Sequence, residues 1–241
     1  MGIKDFLRRF GFRVSQQKAQ HSKVGGQSAA KHKSPEGVCP YCGVVLDSAP
    51  KRKANCQQCG RFIYVRTKQD VFDSQLLTEV DAISADYLKK LDYLGINSGH
   101  YHNKRNSLAE KFGTNPSSRD VMWGLYNDLI VNNIRDYFTL KQLYFAMAHF
   151  QEDLGENFAD TLRLARKMEL YHYREGGVDK VAVLSTNCCP ECAALHHKVF
   201  SVADALNEMP LPCHSCISES RQGGKRFCLC VYGPYIEDLN K

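Results

Sequence analysis

Two short cysteine pairs, Cys39-Pro40-Tyr41-Cys42-Gly43 and Cys56-Gln57-Gln58-Cys59-Gly60, lie within residues 38–67, and thirteen residues separate them. Two Cys-x-x-Cys pairs at this spacing are typical of a tetrahedral Zn²⁺ site made of four thiolates. The glycine after each pair relieves the tight turn on which the cysteines lie. A unit of roughly 30 residues buries too little apolar surface to fold alone, so the metal is expected to supply much of its folding free energy. The predicted Zn²⁺ ligands are Cys39, Cys42, Cys56 and Cys59.

The same stretch resembles the rubredoxin-type zinc ribbons. The basic run Lys51-Arg52-Lys53 and the segment from Cys59 to Thr67 are similar to a ribbon found in bacterial and phage proteins of unassigned role. The resemblance implies a small β unit that binds nucleic acid or protein, as ribbons of this family do. Iron in a rubredoxin-like site is the alternative metal.

Positive charge is concentrated around this predicted ribbon. Residues 1–70 contain 14 Lys and Arg against 4 Asp and Glu, whereas residues 71–241 contain 18 against 22. Basic residues with aromatic neighbours suit phosphate contacts and base stacking, so DNA or RNA is the predicted partner of the basic N-terminal third. A protein partner, an anionic membrane surface and a solvated tail are the alternatives. The predicted nucleic-acid-binding residues are Lys51, Arg52, Lys53, Arg61 and Arg66, with Tyr41, Phe62 and Tyr64 for stacking; one of Phe62 and Tyr64 is expected to point into the ribbon core.

The overall composition indicates a globular protein without membrane spans. Hydrophobic residues make up 43% of the 241 residues and charged residues 24%, and no run of about 18 apolar residues occurs. The first residues alternate basic and apolar side chains, unlike a secretory signal, so a cytoplasmic location is expected. In a reducing compartment, the 11 cysteines, which lie in short groups, are predicted metal ligands rather than disulfide partners.

The predicted fold class is mainly α with small β zinc modules. Composition divides the chain into four segments: a basic flexible tail (1–37), a zinc ribbon (38–70), a helical bundle (71–177) and a Cys/His-rich metal-binding module (178–241). In the bundle segment, apolar residues recur at three- and four-residue spacing and predict four amphipathic helices. These are a helix from Leu76 to Leu94 that ends at Gly95, a helix that starts at Pro116-Ser117-Ser118, one that starts at Thr139, and one from Asn157 to Arg174; His100-Tyr101-His102 is assigned to a polar loop before a short helix at Leu108–Phe112.

Residues 178–241 contain seven cysteines and His214, more than the four ligands that one ion needs. A strand over 181–184 and a short helix over 202–207 are predicted around them. A second Zn²⁺ in a treble-clef-like or ribbon-like geometry is expected, which gives two ions in the chain, with a free-thiol core or a redox pair as alternatives. The predicted ligands are Cys189, Cys192, Cys216 and either Cys228 or Cys230, with Cys213 and His214 in reserve and Cys188 as a packed thiol.

This segment also resembles the C-terminal metal-binding end of Mu-type phage head-morphogenesis proteins. The resemblance is carried by Cys189-Pro190-Glu191-Cys192-Ala193-Ala194-Leu195, Lys198-Val199-Phe200, Leu211-Pro212, His214, Cys216 and a late Cys-x-Cys. Those proteins are minor capsid components, so the resemblance implies a structural or DNA-packaging-associated role without catalysis. The favoured function is therefore a zinc-binding, non-catalytic scaffold of bacterial or phage origin that binds nucleic acid or protein.

An HNH-like metal-dependent nuclease is the alternative function. Its residues would be His196 or His197 as the base that activates water, Asn207 as the positioning residue and His214 as the ligand of the catalytic ion. This order of residues is bracketed by cysteine pairs, as in that family. A structural role of His214 in zinc binding would exclude the catalytic one.

Overall fold

The structure is a computed structural model that describes residues 37–185, 188–213, 220–221, 224–225 and 227–236. These residues are mainly helical with small antiparallel sheets, which confirms the mainly α prediction. The chain divides into two compact units with the boundary after Gly99. The predicted basic tail lies outside the described residues except for Gly37.

A three-stranded antiparallel sheet organises the first unit. Its strands are β1 (Ala54–Asn55), β2 (Phe62–Val65) and β3 (Leu76–Leu77), in the order β1-β2-β3. Ala54 is opposite Ile63, and Tyr64 is opposite Leu77. The buried cluster around the cysteines is small, as the length of the segment predicts, and consists of Cys39, Cys56, Ile63 and Leu76. Other buried residues of this unit, such as Leu88 and Leu91, lie outside this cluster.

The first helix, α1 (Glu79–Lys90), starts later than predicted because Leu76 and Leu77 pair with β2 instead. The hydroxyl of Thr78 accepts from the Asp81 N–H and caps the helix. Two apolar residues that precede a helix are compatible with a strand or with the first turn of the helix. Their spacing alone does not distinguish these two structures. A turn of 3₁₀ helix (Asp92–Leu94) follows, and Gly95, with φ of +77°, ends it as predicted.

Four long helices follow: α2 (Ser98–Phe112), α3 (Ser118–Asn132), α4 (Tyr137–Asp153) and α5 (Ala159–Glu175). The first two residues of α2 belong to the first unit, and the rest of these helices form the first half of the second unit. The loop assignment of His100-Tyr101-His102 was wrong, because α2 includes these residues. Tyr101 is the one buried residue of α2. The sequence of this helix therefore has almost no apolar periodicity from which a helix could be predicted. The predicted start of α3 is confirmed, with Ser117 as its cap.

The second half of this unit is a sheet with two short helices. β4 (Lys180–Leu184) lies between β5 (Val199–Ser201) and β8 (Val231–Pro234), antiparallel to both, and the predicted strand and the helix after residue 201 are confirmed. The other elements are α6 (Pro190–Ala194), α7 (Val202–Glu208) and the hairpin of β6 (Ser220–Arg221) with β7 (Gly224–Lys225).

The helices α4 and α5 share one apolar core with this sheet. Leu162 and Leu170 of α5 pack in the same buried cluster as Val181 and Val183 of β4, together with four cysteines. The cysteine-rich segment is therefore part of a sizeable core rather than a small separate module. None of the helices in the described residues is long and apolar enough to cross a membrane.

Candidate metal centres

The four cysteines of residues 38–67 converge on one point. Their Sγ atoms all lie within 4.8 Å of one another. The distance is 3.9 Å between Cys39 and Cys59, and 3.7 Å between Cys42 and Cys56. Zn–S bonds of about 2.3 Å in a regular tetrahedron place the sulfurs about 3.8 Å apart. The sulfur spacing thus fits one tetrahedral ion.

Two matching turns hold these cysteines. The N–H groups of Gly43 and Gly60 donate to the carbonyls of Cys39 and Cys56, at 3.0 and 2.8 Å. Both glycines have φ near +70°, a conformation that strains residues with a Cβ. Each turn thereby aims the sulfurs of its own cysteine pair toward the other pair.

The thiols of this cluster influence one another's protonation. A hydrogen bond from the Val44 backbone favours the Cys42 thiolate, but burial and the three neighbouring thiols outweigh it and raise the pKa of Cys42 to about 12. The backbone N–H of Cys59 is the main cause that lowers the pKa of Cys56 to about 7. Four thiolates this close repel unless a cation lies between them, and Zn²⁺ is such a cation.

The second unit brings together five cysteines in two overlapping groups. Cys189, Cys192 and Cys213 form one group, and Cys192, Cys228 and Cys230 form the other, with all Sγ atoms of a group within 4.8 Å. We call these five residues the C-terminal cysteine cluster. The Cys213 sulfur lies 3.1 Å from that of Cys189 and 3.2 Å from that of Cys192. All except the half-buried Cys213 are buried.

Three separate chain segments supply these sulfurs. The Cys189 sulfur caps α6 by accepting from the Cys192 N–H at 3.4 Å, so this pair lies on a helix start rather than on a glycine turn. Cys228 and Cys230 flank the exposed Leu229, and this alternation directs both thiols inward, as in an extended chain. Cys213 follows the buried Leu211.

The predicted ligands of the second ion are placed only in part. The structure brings together Cys189, Cys192, Cys228 and Cys230, and it adds Cys213, which the sequence analysis held in reserve. Cys216 and His214 lie outside the described residues. Cys188 is half-buried and belongs to neither group. Hydrogen bonding to Cys192 is the main cause that raises the pKa of Cys230 to about 12. No disulfide joins the cysteines within the described ranges.

The predicted nucleic-acid-binding residues of the first unit differ in their surroundings. Arg66 forms a two-pronged ion pair with Asp86, with nitrogen–oxygen distances of 2.9 and 2.6 Å, and Asp86 holds the pKa of Arg66 above its usual value. Its charge is therefore compensated within the protein. Lys51 and Arg52 are exposed.

Lys53 and Arg61 lie over aromatic rings. The Lys53 ammonium is 4.2 Å from the ring centre of Phe62 and 4.5 Å from that of Tyr64, and the Arg61 guanidinium is 5.1 Å from the Tyr41 ring. We call these five residues the aromatic–basic face. The expectation that Phe62 or Tyr64 points into the core was wrong, because strand alternation puts Ile63, 1% exposed, in the core and leaves Phe62 50% exposed.

The residues of the nuclease alternative are only partly described. The rings of His196 and His197 lie 3.8 Å apart. Nδ1 of His196 accepts a hydrogen bond from the Ser185 N–H at 3.1 Å, so a neutral His196 has its proton on Nε2 and no basic nitrogen left for water. Asn207 lies on α7.

Comparison with known proteins adds no relative to this picture. We find no protein-family model, no curated protein and no solved structure that matches the chain.

Proposed function

We propose that this protein is a non-catalytic zinc-binding protein whose first unit binds single-stranded nucleic acid through its aromatic–basic face. The observation that carries the metal part is the convergence of Cys39, Cys42, Cys56 and Cys59 at sulfur distances that suit tetrahedral Zn²⁺. A rubredoxin-type ribbon is the arrangement we propose for this unit, and a second metal module is proposed for the C-terminal cysteine cluster. A reducing compartment keeps cysteines from forming disulfides and leaves them available as metal ligands, and we therefore propose a cytoplasmic location.

The aromatic–basic face supports nucleic acid as the partner. Phe62 is half exposed, and the Lys53 ammonium lies over one face of its ring. A base that displaces the ammonium can stack on the ring while the ammonium contacts a phosphate. Residues 37–99 contain eight Lys and Arg against seven Asp and Glu. Their net charge is close to zero, so binding depends on this local face and on the basic residues 1–36.

The resemblance of residues 189–230 to Mu-type phage head-morphogenesis proteins supports a binding or structural role of phage-related type. The geometry of His196 weakens the nuclease alternative, because a general base needs an accessible basic nitrogen. A plasmid-cleavage assay with Mg²⁺ or Mn²⁺ separates the two functions. Cleavage that His197→Ala abolishes would establish the nuclease and refute our proposal.

The direct test measures metal content and nucleic-acid affinity on the full chain. Elemental analysis should find tightly held zinc. A labelled single-stranded oligonucleotide should bind with an affinity that falls as salt rises, because phosphate contacts release counterions. No binding to DNA or RNA at low salt by the zinc-loaded protein would refute the nucleic-acid part and direct the search to protein partners.

Two pairs of variants locate the binding surface. Phe62→Ala should weaken binding by about 1–3 kcal/mol through lost stacking, whereas Val45→Ala, which removes a 74% exposed apolar side chain outside this face, should not. Lys53→Ala should lower the slope of log affinity against log salt by about 0.7. Lys89→Ala, on the exposed part of α1, is the matched control and should leave the slope unchanged.

A further inference from the structure

We propose that the C-terminal cysteine cluster binds two metal ions that share the thiolate of Cys192, which gives three ions in the whole chain. The inference rests on the proposed binding of metal by cysteine thiolates. It goes beyond that proposal in the number of ions and in the bridging ligand.

The first argument is geometric. The described cysteines of the cluster form two triangles of sulfur atoms, and Cys192 is the corner that belongs to both. Within the described part of the chain, the five sulfurs contain no set of four that all lie within 4.8 Å of one another. A single tetrahedral ion needs four sulfurs at mutual distances of about 3.8 Å. Two triangles with a common corner instead match two ions with one bridging thiolate.

The N-terminal site provides the contrast within the same chain. There, four cysteines form one group, and its measured edges of 3.7 and 3.9 Å are those of a single tetrahedron. In the C-terminal cysteine cluster, the 4.0 Å distance between Cys192 and Cys228 resembles such an edge. The distances of 3.1 and 3.2 Å from Cys213 to Cys189 and Cys192 are shorter, so these sulfurs must move apart to bind an ion. The Cys213 sulfur, however, lies on the side of Cys189, in the other triangle.

The second argument is electrostatic. Four of the five cysteines are buried in the apolar core of the second unit, where uncompensated charge is costly. One Zn²⁺ with four thiolates leaves two negative charges and a fifth sulfur that must stay protonated. Two Zn²⁺ ions with five thiolates leave a single negative charge. The second ion therefore reduces the charge that the core must bury.

Each triangle supplies three of the four ligands that Zn²⁺ takes. Cys188 is half-buried, packs against the same core and interacts electrostatically with Cys230. It belongs to neither triangle, so the fourth position of each ion is left for a neutral ligand beyond these five cysteines.

The deciding experiment is ¹¹³Cd NMR on the full chain after replacement of the native metal. We expect three cadmium resonances, two of which are coupled to each other through the shared sulfur, together with three equivalents of zinc in the native protein. Because this measurement uses the unsubstituted protein, it does not depend on whether a variant folds.

Cysteine variants then assign the ions. Cys192→Ser should lose two equivalents of metal, whereas Cys189→Ser and Cys230→Ser should each lose one. Cys56→Ser is the matched control, since it should remove the uncoupled resonance and leave the coupled pair.

The outcomes separate this inference from the proposed function. Two uncoupled resonances, one from each unit, would overturn the shared site and leave zinc binding intact. Three resonances without coupling would overturn the bridging role of Cys192. A chain that retains no metal would refute the inference and the proposed function together.

Discussion

The two cysteine clusters bring sulfur atoms together by different physical routes. In the first unit, two local turns present Cys39, Cys42, Cys56 and Cys59, and only a few apolar side chains lie beneath them. In the second unit, sulfurs from three distant segments meet inside a core built by α4, α5 and the sheet. In the first unit, metal binding is expected to drive folding, whereas in the second, folding of the core brings the ligands together.

Removal of metal should give the largest difference between the two units. Structural Zn²⁺ contributes about 10 kcal/mol or more to the folding of small metal domains, which exceeds what the small buried cluster around these four cysteines can replace. After chelation, residues 38–67 should lose protection from hydrogen exchange, while the packed centre of α5 stays protected. Peptide-resolved mass spectrometry measures both regions in one sample, and restored zinc should restore the protection. Equal loss of protection in both regions would refute the distinction.

The same contrast explains how far the sequence predicted the sites. The ligands of the first site are local, so spacing alone identified all four residues that converge. The second cluster depends on tertiary packing, and spacing could not rank Cys213 against its neighbours. The structure places Cys213 in the cluster, two residues after the buried Leu211, and burial of this kind is not readable from the sequence.

The secondary structure was predictable where local sequence signals determine it. Strong apolar periodicity and capping residues identified α3, α4 and α5 to within a few residues. Apolar periodicity did not identify the start of α2, because this helix is polar almost all round. It also misassigned the two leucines of β3, which pair with β2 instead of forming the first turn of a helix. Tertiary contacts decided both cases.

A buried ion pair should make the second unit sensitive to loss of charge. Glu169, 4% exposed, accepts from Arg166, 2% exposed, at 3.3 Å and from the backbone N–H of Tyr232 at 3.2 Å. It thereby ties α5 to the strand that follows Cys230. Glu169→Ala leaves the Arg166 charge buried without compensation and should lower the free energy of unfolding by about 3–5 kcal/mol.

Urea denaturation of the zinc-loaded protein measures this change. Asp160→Ala is the matched control on the same helix, because Asp160 pairs with Arg163 at the exposed surface and such pairs contribute under about 1 kcal/mol. Equal effects of the two variants would show that the buried pair does not hold the second unit together.

Matched cavity variants should affect different observables in the two units. Ile63→Ala and Leu162→Ala each remove a fully buried side chain at a cost of about 2–5 kcal/mol. In the first unit, folding and metal binding share one free energy, so Ile63→Ala should weaken zinc affinity by about 30-fold or more.

In the second unit, the cost of Leu162→Ala should appear instead as a lower urea midpoint, with the zinc affinity of the N-terminal site unchanged. Competition with a chromophoric chelator measures the affinity. If Ile63→Ala left that affinity unchanged, the first unit would have to fold without its metal.

The smallest predicted effect compares two helix caps. Thr78 caps α1 in the first unit, and Asp136 caps α4 in the second by accepting from the N–H and hydroxyl of Thr139 at 3.0 and 2.7 Å. Each change to Ala should cost about 1 kcal/mol. Burial raises the pKa of Asp136, but these hydrogen bonds outweigh it and hold the pKa below its ordinary value of 3.8.

Because the folded pKa of Asp136 is lowered, its contribution is fully present above the ordinary pKa of 3.8 and is lost as the pH falls through the folded value. Asp136→Ala should therefore destabilise the protein near neutral pH and have less effect in strong acid. Threonine does not titrate, so loss of the Thr78 cap should not depend on pH through ionisation of the capping side chain. Hydrogen exchange of α4 and α1 at neutral and acidic pH measures the two caps separately. An Asp136→Ala effect that does not shrink in acid would mean that the cap acts through its shape rather than its charge.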